Sequence, residues 1–343
     1  MYKRIIRPIL FLFSPESIHK IIFNILKFIS VIPLATGVLR LVLGSSKYNK
    51  ETELFGIKFP NQLGLAAGLD KNATAFDILF NMGFGFIEIG TVTPEPQLGN
   101  PKPRSFRLKR DKALINRMGF NNKGLKETIK KLRKRRSRVI IGGNIGKNTL
   151  TTNENAVNDY VKCFDELFDY VDYFVVNVSC PNIKDLRKLQ DNDSLKEILE
   201  QIQKKNNSKN KRKAVLIKIS PDLDEKRLSE VIEIVRSTGI DGIIATNTTT
   251  GRDNLSYTDE EINDFGNGGL SGKPLKNRAI EVVKFLHKTS NGEIPIIGTG
   301  GIMNPEDAND MIEAGASLVQ IYTGFIYEGP GLIRKIKKKI NSK

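Results

Sequence analysis

The 343-residue sequence holds only two cysteines and two histidines and no tryptophan. Cys163 and Cys180 form no CxxC pair, and His19 and His287 are the whole supply of imidazole. Ligand supply therefore argues against a zinc, haem or iron–sulfur centre built from this chain, and two distant cysteines make no disulfide scaffold. Long apolar runs are also missing: Pro8, Pro15, Pro33 and scattered charges break residues 1–44 into pieces shorter than the roughly 18 residues of a spanning helix. The short run behind Lys3, Arg4 and Arg7 has no small-residue cleavage site and is a poor signal peptide. Two phosphate fingerprints fail as well. Gly298-Thr299-Gly300-Gly301 has Met303 where GxGxxG needs its last glycine, and Gly146-Lys147-Asn148 has Ile141 where a P-loop needs its first.

What is present in excess is positive charge, 54 Lys+Arg against 38 Asp+Glu. Its distribution decides its meaning. Residues 123–138 carry nine bases and one acid, Glu127, while 204–213 and 334–343 carry six bases each and no acid. Outside these runs acids outnumber bases, and no aromatics are interleaved with the bases, so the excess reads as solvated surface rather than a nucleic-acid footprint. No nucleic-acid partner is expected; an anionic membrane surface stays open for part of the charge.

Residues 1–44 differ from the rest. Ser14-Pro15-Glu16 reads as a helix start, with Ile18, Ile21, Ile22, Ile25, Leu26, Ile29 and Ile32 at helical spacing. A second helix over 34–43 would put Leu34, Val38, Leu41 and Val42 on one face and stop at Gly44. Glu16 is the segment's only acid against six bases. Basic, amphipathic and non-spanning suits an interfacial membrane anchor, and spacing alone suits helices packed on a main domain equally well.

Residues 45–343 read as the main domain. After a hairpin-like stretch over 53–59, β-branched apolar runs recur at 63–67, 85–90, 139–143, 174–178, 215–219, 242–245, 294–297 and 318–321, with helical patterns between them. Near-continuous apolar strands alternating with helices imply a parallel sheet, and eight of them imply a (β/α)8 TIM barrel more readily than a doubly wound sheet. Every strand end carries polar or glycine residues, and in a barrel those ends share the rim where ligands bind. The late glycines, Gly298 to Gly301 with Gly272, suit the phosphate site of such a rim. Lys71 and Lys218 follow strands one and five and suit a phosphate, a carboxylate or an electron-rich ring. Asn116, Asn144, Asn177, Asn182 and Asn247 suit a flat substrate rich in C=O and N–H groups, because each amide both donates and accepts.

The strings LGLAAGLDK (63–71), MGFGFIEIGTVTPEPQ (82–97), NRMGFNN (116–122), NIGKN (144–148), IATNTT (244–249), GGLSG (268–272), IIGTGG (296–301) and ASLVQIYTGF (316–325) closely resemble the dihydroorotate dehydrogenases of the membrane-associated, quinone-using class 2. The resemblance runs through nearly the whole chain. It implies an oxidoreductase that converts dihydroorotate to orotate with FMN, in pyrimidine biosynthesis, and hands the electrons to a membrane quinone through a tunnel between the N-terminal helices. With it come peripheral attachment to the cytoplasmic side of the cell membrane and an expectation of a monomer. Carried over residue by residue, FMN would meet Ala67, Gly68, Leu69, Asp70, Lys71, Thr91, Asn144, Asn177, Lys218, Thr246, Gly272, Gly301, Tyr322 and Thr323. The substrate would meet Lys71, Asn116, Arg117, Met118, Gly119, Phe120, Asn177, Asn182, Asn247 and Thr248, and His19 and Arg107 would line the quinone tunnel. Two other readings stand beside it: an FMN barrel that reduces uracil rings in RNA, and a non-catalytic nucleic-acid-binding barrel.

One departure falls at the chemistry. The class 2 pattern has a serine base where this chain has Cys180 and a relaying threonine where it has Ile183, whereas Ser-Cys-Pro-Asn followed by an aliphatic residue resembles the soluble class 1 enzymes. The two changes belong together. A thiol ionises near pH 8.5 unaided, while a serine needs help to lose its proton, so Cys180 is assigned as the catalytic base.

Overall fold

Eight short, mostly apolar strands pair in parallel and in sequence order into a closed barrel. They are β1 (Leu63–Leu65), β2 (Phe86–Val92), β3 (Ile140–Ile145), β4 (Tyr173–Asn177), β5 (Ala214–Ile219), β6 (Gly242–Ala245), β7 (Ile296–Thr299) and β8 (Leu318–Ile321). The computed structural model describes residues 1–30, 32–44, 46–179 and 192–342. β8 returns to β1 through Val319 beside Leu63 and Ile321 beside Leu65, which closes the ring. All eight strands coincide with the runs read from the sequence to within two residues at most ends, and the helices between them cover the outside.

Alternation along the strands fills the barrel in layers. The lower layer is apolar: Phe86, Ile140, Tyr173, Val175, Leu216, Ile244, Ile297 and Leu318 are buried together. Phe59 joins them from the hairpin Thr52–Leu54 and Ile57–Phe59, with its ring 5.2 Å from that of Phe86, and so closes the lower mouth. One layer higher the side chains turn polar, with Glu88, Asn144, Asn177, Lys218 and Gln320 all buried.

Above the rim lies an element that the sequence did not disclose. Ser105–Leu108, Ala113–Asn116 and Gly269–Gly272 form a three-stranded antiparallel sheet. GGLSG, read from the sequence only for the phosphate-site glycine Gly272, pairs four of its residues with Ala113–Asn116.

The N-terminal segment is helical at Arg7–Leu10, Pro15–Ser30 and Pro33–Leu39, with wider π turns at Tyr2–Ile6 and Arg40–Gly44. The turns over residues 2–10 were not anticipated; the two later helices were. Pro15–Ser30 packs Phe23, Leu26 and Ile29 inward on the main core. Its first turn is tied down by Arg104, whose buried guanidinium bonds both oxygens of Glu16 and the carbonyls of Leu98 and Asn100. Tyr2 donates to the Ile326 carbonyl at 2.6 Å, and Arg7 donates to that of Tyr327 at 3.1 Å. At the other end Lys337, fully buried, donates to Gly44 O and Asn49 Oδ1 at 2.9 Å each, and burial pushes its ammonium down to about 8. No single helix among the described residues is long and apolar enough to cross a membrane.

Candidate active site

Two cavities meet at the top of the barrel. The first is polar and is walled by the strand ends: Ala67, Gly68 and Lys71 after β1, Thr91 on β2, Asn177 on β4, Lys218 on β5, Thr246, Asn247 and Thr248 after β6, Gly301 after β7, and Tyr322 and Thr323 after β8. Asn116, Met118, Gly119 and Phe120, from the added sheet and the loop after it, close it from above, with Gly272 at the side. The second is mostly apolar, about 450 Å³, and runs between the N-terminal helices past Phe11, Ile18, His19, Ile22, Phe23, Arg107 and Phe325. Gly68, Lys71, Asn116, Ser271 and Tyr322 line both, so the second cavity reaches the first.

Hydrogen bonds fix the polar wall as one network. The Asn144 amide donates to Glu88 Oε1 at 2.8 Å, and its Oδ1 accepts from Thr91 Oγ1 at 2.5 Å and from Asn177 Nδ2 at 3.2 Å. Asn247 Nδ2 then donates to Asn177 Oδ1 at 3.3 Å and to Ser179 Oγ at 3.0 Å. Lys218 Nζ stands 4.0 Å from Glu88 Oε1, and Lys71 Nζ donates to Asn121 Oδ1 at 2.7 Å. Burial pushes the Tyr322 hydroxyl up to about 12, so it is protonated at neutral pH.

The glycines show what the pocket is shaped for. Gly301 has φ +72°, and an added Cβ would lie 2.2 Å from Lys276 Cα; Gly272 has φ +99°, and its Cβ would lie 2.4 Å from the Lys112 carbonyl. Only glycine lets the backbone run this close, leaving the polar backbone itself as the pocket wall. A phosphate suits that wall, a flat ring with C=O and N–H edges suits the amides, and Lys218 suits an electron-rich edge. The donor set therefore fits a flavin cofactor.

The expected residues divide by position. Those named above line the polar cavity, while His19, Arg107 and Leu69 line the apolar one. Asn144 is fully buried behind Thr91 and Asn177. The Asp70 side chain turns away: it accepts from the Thr74 and Ala75 backbone N–H groups at 2.7 and 2.8 Å and holds the next turn. Arg117 also points away, bonding the carbonyls of Phe265 and Asn267 and lying over the Phe106 ring. Cys180, Asn182 and Ile183 lie outside the described residues; Ser179, just before them in sequence, is fully buried beside Asn247. The other cysteine makes a poor base, because Cys163 is buried, burial drives its thiol up, and its nearest partner is the Val92 carbonyl at 3.7 Å.

Sequence reasoning passed over Glu88 and Gln320. The signal was there, since each is one polar residue in the middle of an apolar strand, FIEIG and LVQI.

His19 stacks on Phe23 with ring centroids 4.2 Å apart. Burial, reinforced by the Lys71 charge, pushes its imidazole down from 6.5 to about 4. It therefore faces the apolar cavity as a neutral donor–acceptor. Between those two values the unfolded chain binds more protons than the folded one, so stability falls as pH drops through the window. His19→Gln is expected to remove about 1–2 kcal/mol of the stability difference between about pH 8 and about pH 5. Urea unfolding of the two proteins at both pH values measures it; an unchanged difference would show His19 to be freely protonated.

A closed eight-stranded parallel barrel with a glycine-walled polar pocket at its rim, and an apolar passage leading away, marks a flavin-type oxidoreductase of the TIM-barrel class. The chain belongs to the dihydroorotate dehydrogenase family, whose model "Dihydroorotate dehydrogenase" matches residues 49–343. Over 343 residues it is 55% identical to the dihydroorotate dehydrogenase (quinone) of Christiangramia forsetii, covering 100% of this chain and 99% of that one. Over 341 residues it is 43% identical to the enzyme of the same name from Cellvibrio japonicus, covering 97% and 96% of the two chains. Among solved structures, ferulenol-bound dihydroorotate dehydrogenase from Eimeria tenella superposes with a TM-score of 0.79 at 37% identity over 89% of each chain.

Proposed function

We propose that the protein oxidises dihydroorotate to orotate on FMN and passes the electrons to a quinone. The observation that carries this reading is the pair of joined cavities, because an enzyme that oxidises a polar substrate and reduces a lipophilic one is served by a polar and an apolar entrance to the same cofactor. Lys218 and the amide network hold the flavin ring, and the backbone at Gly272 and Gly301 receives its phosphate. Asn116, Asn177 and Asn247 orient the flat substrate above the ring. Bound FMN supplies the hydride acceptor, while Cys180 takes the neighbouring proton. Proton and hydride leave adjacent carbons, so the network's work is alignment rather than charge creation.

The quinone enters between the N-terminal helices, where neutral His19 and the Arg107 guanidinium are among the polar groups of a mostly apolar wall. Thirteen of the fifteen large apolar side chains that stand exposed among the described residues lie in residues 1–44, among them Leu12, Ile25, Phe28, Leu34 and Leu41. Such a concentration on a chain end suits docking to the cytoplasmic face of the cell membrane, where lipophilic quinone is dissolved. A uracil-reducing RNA enzyme has no use for that patch or for the apolar passage. A monomer satisfies the arrangement, because one chain builds both cavities.

Asn116→Ala and Asn247→Ala are each expected to weaken dihydroorotate binding by about 1–3 kcal/mol, since each leaves ligand groups unpaired in a buried site. The barrel core is untouched, so both variants should fold and hold flavin. Titration of the flavin spectrum with orotate reads the affinities, and parent-like affinity in both variants would remove these amides from the substrate pocket.

A further inference from the structure

We infer that Glu88 is a positioning residue of the flavin pocket: from behind the wall it holds Lys218 and the Asn144–Asn177 amides, and it sets the charge that a bound flavin meets. This rests on the FMN reading above and adds a residue to it. Glu88 is fully buried and does not line either cavity. It sits on β2 two residues beyond Phe86 and therefore on the same, inward face, immediately above the apolar layer of Phe86, Ile140 and Tyr173. What reaches it from that layer is the buried Tyr173 hydroxyl, kept protonated by burial and by the Glu88 charge. Compensation comes from its own level and above: Asn144 Nδ2 at 2.8 Å on Oε1, Gln320 Nε2 at 2.6 Å on Oε2, and Lys218 Nζ at 4.0 Å.

Three of the four members of this cluster would serve the cofactor. Lys218 and Gln320 open directly on the polar cavity, and Asn144 reaches it through Thr91 and Asn177. A charge buried in a barrel layer is costly, and branched apolar side chains fill such layers better, so strand packing alone does not account for it. What a carboxylate does here, and a neutral side chain cannot, is to accept from two amides at once while offsetting an ammonium. The Asn144 amide is thereby fixed with its oxygen toward Thr91 and Asn177, and Lys218 is held where its charge is partly cancelled.

Reduction adds negative charge to the flavin, and the uncancelled part of the Lys218 charge favours it. Protein charges near the ring tune a flavin in this way. Removing the Glu88 charge should therefore favour reduced over oxidised FMN, whereas a residue that only ties strands together would leave the potential alone. The test is the midpoint potential of bound FMN in the parent, Glu88→Gln, Glu88→Asp and Gln320→Leu, measured by equilibration with reference dyes at one pH. Glu88→Gln is expected to raise the preference for reduced FMN about tenfold, which for a two-electron couple is about 30 mV in the positive direction. Glu88→Asp keeps the charge and should stay close to the parent. A Glu88→Gln protein that holds flavin at the parent potential overturns the inference. Should that variant fail to fold or to hold flavin, Gln320→Leu decides: it removes a donor and leaves the carboxylate less compensated, so the potential should fall, and an unchanged or raised potential overturns the inference. A parent protein that takes up no FMN overturns the cofactor reading itself, an outcome distinct from parent-like potentials in variants that bind it.

Discussion

Cys180→Ala is expected to bind FMN and orotate and yet reduce its flavin with dihydroorotate about 100-fold or more slowly than the parent, the loss typical of a positioned general base. Oxidation of the substrate needs proton and hydride to leave neighbouring carbons, and without the base only the hydride has somewhere to go. The sequence places Cys180 directly after Ser179, which follows β4 and joins the buried network of Asn177 and Asn247. Cys163 offers no substitute, held away from solvent with its thiol driven up by burial. Cys180→Ser should also be slow, and its activity should move to higher pH, because Ile183 stands where the class 2 pattern has a relaying threonine and an unaided hydroxyl is a much weaker base than a thiol. Stopped-flow flavin reduction across pH separates the three proteins. A Cys180→Ala enzyme as fast as the parent would mean that another group takes the proton.

Removal of residues 1–44 is expected to leave dihydroorotate-driven flavin reduction within about a factor of a few, while turnover with a lipophilic quinone and sedimentation with liposomes fall by about tenfold or more. The asymmetry follows from the walls. Strand ends and the added sheet build the polar cavity, whereas the N-terminal helices supply Ile18, His19, Ile22 and Phe23 to the apolar one and nothing to the polar one. The truncation also frees Lys337 from Gly44 and Arg104 from Glu16, so folding should be checked by the flavin spectrum first. A folded, flavin-loaded truncation that turned over lipophilic quinone at the parent rate would disconnect the helices from the acceptor.

The barrel was legible because each of its strands is a near-continuous apolar run between helical patterns, and the rim was legible because polar residues follow those runs. The antiparallel sheet over the rim was not: Ser105–Leu108 mixes polar and apolar residues, and Gly269–Gly272 is half glycine, so neither carries a strand's composition. Such strands form because a partner, Ala113–Asn116, completes their ladder, and that is a tertiary fact. Among site residues, those in glycine- or asparagine-bearing strand ends could be found by type. Asp70 and Arg117 were carried into the site by sequence neighbours and are turned away from the pocket by their own hydrogen bonds, which no spacing rule anticipates. Glu88 was missed although it stands out as a lone acid in an apolar strand, because its role shows only where Asn144, Lys218 and Gln320 converge on it.

The most direct test of the account is the visible spectrum of the purified full-length protein, recorded anaerobically before and after addition of dihydroorotate. A yellow protein whose flavin absorbance bleaches on addition of dihydroorotate and returns on addition of quinone is the predicted result. A protein that stays colourless after incubation with FMN, or a bound flavin that dihydroorotate does not bleach, would contradict it.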